Sequence, residues 1–345
     1  TTLTDHSANA NHHGTIYGPS WSADVPLGMT ISAAEVVDGF TSNDATLTLT
    51  FTSSGATTDF AEDDITVSNG ALSSFSPTSS TVYTATFTPN AEGAATIDVA
   101  AGTFTDGAGN NNFAADQFNW SYDPDAPFGT GSEADPYQIA TLDDLNWITQ
   151  NSGQWDAYYI QTADIDASST SSWDSGSGFT PIGNSTTKFT GSYNGGGFTI
   201  SGLTINRPAT HQIGLFGWTT NGATIQDLGL TNVSITGLDN VGALVGFNRY
   251  DNQSLVSNCY STGTVSGEDF VGGLVGRIYK IDVTNSYSTC NVTGSEDYVG
   301  GLGGQIRDNS TVSNCYSTGT VIGGSAVGGL AGNIHLGSTT VSNCY

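Results

Sequence analysis

The chain has 345 residues, 45 of them Gly, and sets 32 Asp and Glu against 6 Lys and Arg for a net charge of −26. So few cations exclude a nucleic-acid partner, which needs Lys and Arg to displace counterions, and an anionic membrane surface repels such a chain. No run of 18 apolar residues exists to span a bilayer, while 37% hydrophobic and 10% aromatic residues suffice for packed cores.

Residues 1–25 are polar and aperiodic and hold His6, His12 and His13. They read as an exposed arm or one ordered by a partner; a metal site would need these histidines clustered on a rigid element. Residues 26–126 change character. Thr46–Phe51, Asp64–Val67, Thr81–Phe87 and Ala95–Val99 alternate apolar with Thr or another polar residue, the mark of half-buried strands. Turn clusters such as Ser68-Asn69-Gly70 and Asp106-Gly107-Ala108-Gly109-Asn110 separate them. About seven short strands predict an immunoglobulin-like sandwich, without an inter-sheet disulfide because no Cys lies here. Asp59, Glu62, Asp63 and Asp64 are hard oxygen donors in loops, as are Asp123 and Asp125 at the domain end, and calcium is the cofactor they suggest. Ser121–Pro127 reads as a linker stiffened by two prolines.

Residues 127–212 predict a cap and the first coils of a second domain. Thr141 can N-cap a short helix with Asp144 at its third position, and Leu142, Leu145 and Ile148 share one face. Tyr158–Ile160 and Phe198–Ile200 read as strands, with a tight bend at Gly195-Gly196-Gly197. Asp164 and Asp166 could mimic the paired acids of a glycan-cleaving site, although acids at turns and strand ends explain them more simply.

From 213 to 345 the chain repeats. Units open at Ile213, Val241, Val271, Val299 and Val327, spaced 28, 30, 28 and 28 residues apart, typically as Val-Gly-Gly-Leu-Val-Gly. A second block recurs at Val256, Val283, Val312 and Val341, as in Val256-Ser-Asn-Cys-Tyr-Ser-Thr-Gly-Thr-Val. A fixed period with strand-like content predicts a parallel β-solenoid, one unit per coil. The fold class is therefore all-β: a sandwich, then a solenoid with one short capping helix.

Coils about 4.8 Å apart set equivalent residues into columns. Leu228, Cys259, Ser286, Cys315 and Cys344 mark a small inward site; Cys315 and Cys344 could approach disulfide distance, with buried thiols the simpler reading. Asn258, Asn285, Asn314 and Asn343, begun by Asp227, could bond amide to amide along the axis. Tyr260, Tyr287, Tyr316 and Tyr345 form a stack that stabilises the ladder or offers a sugar-binding face. Arg249, Tyr279, Arg307 and His335 should face solvent beside inward Ile278, Ile306 and Ile334, and are candidate ligand contacts. Asp239, Asp269 and Asp297 stack carboxylates, which repel unless calcium or water relieves them.

Two resemblances add to this. Leu47–Phe51, Phe60 with Asp64–Gly70, Tyr83–Pro89 and Gly102–Asp106 with Gly109-Asn110 resemble bacterial Ig-like domains of large surface proteins. That implies a spacer or adhesive module. The Gly-Gly-Leu-Val-Gly and Ser-Asn-Cys-Tyr-Ser-Thr-Gly-Thr-Val blocks resemble the GLUG repeat, and Asp135–Ile139, Asp143–Leu145, Ala163–Asp166, Pro181–Gly183 and Gly197–Ile200 resemble its usual lead-in. This resemblance covers 128–345 and implies an extracellular, cell-surface solenoid in an adhesin or filament. GLUG units also accompany a zinc peptidase that cleaves immunoglobulin A, but its His-Glu-x-x-His motif is absent from this sequence.

The expected function is structural: a surface filament subunit or adhesin stalk, not an enzyme. The chain stops inside a fifth coil, so that end should meet further chain or another copy, with the N-terminal arm able to add a strand. A carbohydrate-binding module and a polysaccharide-degrading enzyme are the alternatives.

Overall fold

The computed structural model describes residues 27–249, 252–335 and 338–345. The arm at 1–25, with its three histidines, lies outside them. Eight strands build the first domain: β1 (Met29–Ala33), β2 (Thr41–Ser42), β3 (Leu47–Ser53), β4 (Ile65–Val67), β5 (Gly70–Pro77), β6 (Val82–Pro89), β7 (Gly93–Val99) and β8 (Phe118–Tyr122). They pair as two sheets, β1-β3-β6-β5 and β2-β8-β7-β4. The alternation turns Leu47, Leu49 and Phe51 of β3 and Tyr83, Ala85 and Phe87 of β6 into the space between the sheets. Phe60 is the hub of that core, its ring centroid 5.0 Å from Tyr83 and Phe104, 5.7 Å from Phe75 and 5.8 Å from Phe51.

One strand has no alternating signal. β5 is a Ser-rich edge strand with mixed exposure. Its register against β6 shifts between Ser73 and Ser76, where Ser74 turns left-handed at φ 56°. A bulged edge lacks the period of two that identifies inner strands.

Asp59 does not sit idle in its loop. It accepts hydrogen bonds from the Thr105 N–H and hydroxyl and from the Thr57 hydroxyl. The Thr105 bonds hold its carboxyl below the usual carboxylate range. A depressed folded-state pKa contributes stability above the unfolded value of about 3.9, which is lost as pH falls through the folded value. Asp59→Asn is therefore expected to lower the melting temperature at pH 6 and to lessen the fall seen on acidification to pH 3, as followed by circular dichroism.

The linker is tied on both sides. Trp147 Nε1 donates to Asp123 Oδ2 at 2.6 Å, and the Asp125 N–H donates to Asp123 Oδ1 at 2.9 Å. The buried Tyr137 hydroxyl donates to the Thr41 carbonyl at 2.7 Å, Gln154 Nε2 reaches Thr41 Oγ1 at 3.2 Å, and Asn43 Nδ2 reaches the Ala126 carbonyl at 3.0 Å. Helix α1 (Leu142–Gln150) supplies Trp147 and is capped as the sequence predicts, with Thr141 and Asp144 bonding reciprocally.

From the cap onward the chain winds into four parallel sheets of eight, nine, five and four strands among the described residues, in which strands of successive coils pair. The repeat fixes the register. Ile213, Val241, Val271, Val299 and Val327 pair in succession, as do Ile225, Val256, Val283, Val312 and Val341. A single core runs through the stack and continues into the cap. The glycines of the motif sit where coil meets coil: a Cβ on Gly301 would fall well inside contact distance of the Gly329 carbonyl and Ser317 Oγ.

The stack also shows what the last described coil lacks. Val299 and Ile306 are 0% exposed, whereas their partners one coil on, Val327 and Ile334, are 44% and 40% exposed. The residue types are kept; only the covering coil differs.

Candidate binding surface

The columns combine on the solenoid surface as the repeat demands, with three physical additions. Asp227, Asn258, Asn285, Asn314 and Asn343 all adopt left-handed φ of 51–55°. Asn and Asp tolerate that region best among non-glycine residues, so the backbone turn selects them before any side-chain ladder does. The ladder then forms: Asn258 donates to Asp227 at 2.9 Å, Asn314 to Asn285 at 3.1 Å, and Asn343 to Asn314 at 3.1 Å.

The tyrosines stack nearly parallel, Tyr260 on Tyr287 at 5.0 Å, Tyr287 on Tyr316 at 4.7 Å, and Tyr316 on Tyr345 at 5.3 Å. The inner rings cover one another's faces, so the column presents edges rather than a flat sugar platform. The stacked acids meet hydrogen-bond donors. Asp239 Oδ1 accepts the Asp269 N–H at 3.3 Å, Asp269 Oδ1 accepts the Asp297 N–H at 2.7 Å, and Ser325 donates to Asp297. Each carboxylate is held by a donor from the next coil. His211 Nδ1 lies 3.0 Å from Asp239 Oδ2, beside a recess of about 380 Å³ lined also by Arg207 and Gln212.

The cysteines behave as packing residues. All four are thiols. Cys344 Sγ lies 3.4 Å from the Cys315 backbone N rather than bridging its sulfur. Burial pushes the Cys259 thiol up to about 12 and Cys315 to about 11, and raises Cys290. Thiolate is the reactive form. At pH 8 the native chain is expected to titrate one thiol per molecule with Ellman's reagent, Cys344, and four in denaturant; Cys344→Ser should remove the native signal.

Among the described residues no three His, Cys, Asp or Glu side chains gather as a metal site. Asp59 is bonded to Thr57 and Thr105, Asp64 accepts the Ala61 N–H, Glu62 and Asp63 share its 3-10 turn, and Asp123 ties Trp147 to Asp125. Asp164 and Asp166 are likewise engaged, with the Thr199 N–H and hydroxyl and with the Ser168 N–H.

The cationic column is the most developed feature. Tyr279 pairs in register with Arg307, and the guanidinium carbons of Arg249 and Arg307 lie 5.9 and 5.5 Å from its ring centroid. His335 is exposed, and its backbone N–H donates to the Ile306 carbonyl. A third guanidinium joins from a column that the sequence reading did not follow. Arg277 pairs in register with Phe247 and Gln305, and its carbon lies 5.7 Å from the Phe247 ring and 4.6 Å from the Phe270 ring. Arg249, Arg277 and Arg307, with Phe247 and Tyr279, line a recess of about 120 Å³.

Residues 25–122 match the family described as a bacterial Ig-like domain, and residues 237–266 and 296–322 match the GLUG motif. The chain thus carries a segment that matches bacterial Ig-like domains, followed by a β-solenoid in which two stretches match the GLUG motif. The chain is 40% identical over 153 residues to halomucin of Haloquadratum walsbyi, covering 44% of this chain and 2% of that protein. It is 35% identical over 132 residues to a candidate Gly-rich membrane protein of Evansella cellulosilytica, covering 38% of this chain and 15% of that one. It thus spans a small fraction of the length of these relatives. A crystal structure of a candidate immunoglobulin A1 protease from Bacteroides ovatus is similar in fold over 63% of this chain and 77% of that one, with a TM-score of 0.51 at 19% identity. Among the described residues no helix is long and apolar enough to cross a membrane.

Proposed function

We propose that this chain is a non-catalytic stalk segment of an extracellular, cell-surface protein. It holds its Ig-like domain at a fixed distance and direction, as a stretch of adhesin or a filament subunit would. The observation that carries the reading is the tied junction. Bonds from Tyr137, Trp147 and Gln154 couple the sandwich to a solenoid whose core is continuous with its cap. The names of the relatives, halomucin and a Gly-rich membrane protein, support a surface setting.

Electron microscopy and small-angle scattering of the chain test this. A rod with one preferred sandwich angle is expected, and a flexible pair of beads would sink the stalk. Sedimentation at increasing concentration tests the filament version, which a monomer at every concentration would refute.

A further inference from the structure

The chain has 32 acidic and 6 basic residues, yet four of the six, Arg249, Arg277, Lys280 and Arg307, fall in three successive coils. Three of them converge on the recess beside Tyr279. In so acidic a chain, gathered cations are expected to be neutralised by nearby carboxylates. Arg307 is, by Asp308 at 2.7 Å. Arg277 makes no ion pair among the described residues: its Nε donates to the neutral Gln305 Oε1 at 2.9 Å, and Asp308 acts on it only at longer range. It is half-buried, and burial, then the charges of Arg307 and Arg249, make its cation harder to hold.

The aromatic rings explain how the arrangement stands. Phe247 and Phe270 flank the Arg277 guanidinium, and Tyr279 lies between those of Arg249 and Arg307. Cation–π contact acts on the guanidinium face and leaves its N–H edge to bond in plane. The rings are thereby used up as platforms. With Nε of Arg277 on Gln305 and Nε of Arg307 on Asp308, what these two side chains offer a ligand is their terminal N–H groups, the geometry that matches the two oxygens of a carboxylate. About 120 Å³, open to solvent, admits such a group. Next to Arg277, the buried Gln305 accepts from it and donates to Asn333 at 3.3 Å, so the half-buried Asn333 is the amide placed toward the surface, where it suits a hydroxyl better than an apolar group. The net charge of −26 opposes the approach of a long polyanion, so the ligand is a short one.

We propose that the recess of Arg249, Arg277 and Arg307 is a binding site for the carboxylate of an acidic sugar.

Calorimetric titration of the chain in 150 mM NaCl, where long-range repulsion is screened, tests it. The probes are a glucuronate-containing disaccharide, the matching neutral disaccharide, sodium sulfate, and a short peptide with a free C-terminus. The acidic disaccharide is expected to bind at least tenfold more tightly than each of the others. Arg277→Gln should weaken it at least tenfold. Because Arg277 also packs on two rings, Arg307→Gln is the second variant, expected to weaken binding several-fold with the melting temperature within about a degree of the parent. Equal binding of the neutral disaccharide, or affinity indifferent to both substitutions, would overturn the site. Tighter binding of sulfate or of the peptide would overturn its assignment to a sugar.

Discussion

Gly301→Ala is expected to lower the unfolding free energy of the solenoid by about 3 kcal/mol, while Gly329→Ala changes it little. The two glycines occupy the same place in successive repeats. On Gly301 a Cβ would strike the Gly329 carbonyl and Ser317 of the next coil; on Gly329 nothing lies within 4 Å. Forcing a methyl into packed structure costs about 1–3 kcal/mol, and more when the obstacle is backbone, which cannot swing aside. The opposing gain from stiffening the unfolded chain is smaller, about 0.4–1 kcal/mol. Denaturant melts of the two variants check this: equal losses would mean that coil-on-coil contact is not what selects glycine here. In a longer version of the chain with one more coil, Gly329→Ala should become the costly one too.

Phe60→Ala is expected to destabilise the sandwich by about 3–5 kcal/mol, the usual range for emptying a buried aromatic site. Four aromatic rings surround Phe60, and it is only 5% exposed, so the cavity has no easy way to collapse. Calorimetry separates two outcomes. If the sandwich melts alone, a low-temperature transition splits from that of the solenoid. If the junction couples the domains, both move together. A loss under 1 kcal/mol would refute the role of Phe60 as the core's hub.

The solenoid register was readable from sequence because each coil repeats one pattern, and a period needs no knowledge of neighbours. Val241 over Val271, Tyr260 over Tyr287 and the inward Cys259 column all follow from it. What the period hides is what one column does to another. Arg277 was missed because its own column reads Phe247, Arg277, Gln305, Asn333, which shows no charge pattern; only the fold swings the Phe270 ring against it. The Asp ladder was judged by repulsion between side chains, and the backbone N–H of the next coil was left out of the balance. At the junction, Asp123 and Asp125 read as oxygen donors for calcium, while the Trp147 indole comes from 24 residues away, beyond any local motif. β5 carried no alternation because its edge bulge removes it.

Interchangeable coils make length a matter of counting. Val271, Val299 and Val327 open units 28 residues apart, and each meets its neighbour through the same registered pairs. A gene that gains or loses one such unit, as tandem DNA readily does, would lengthen or shorten the rod by about 4.8 Å without altering any other contact. Reach can then change in whole coils while the domain carried at the tip stays the same.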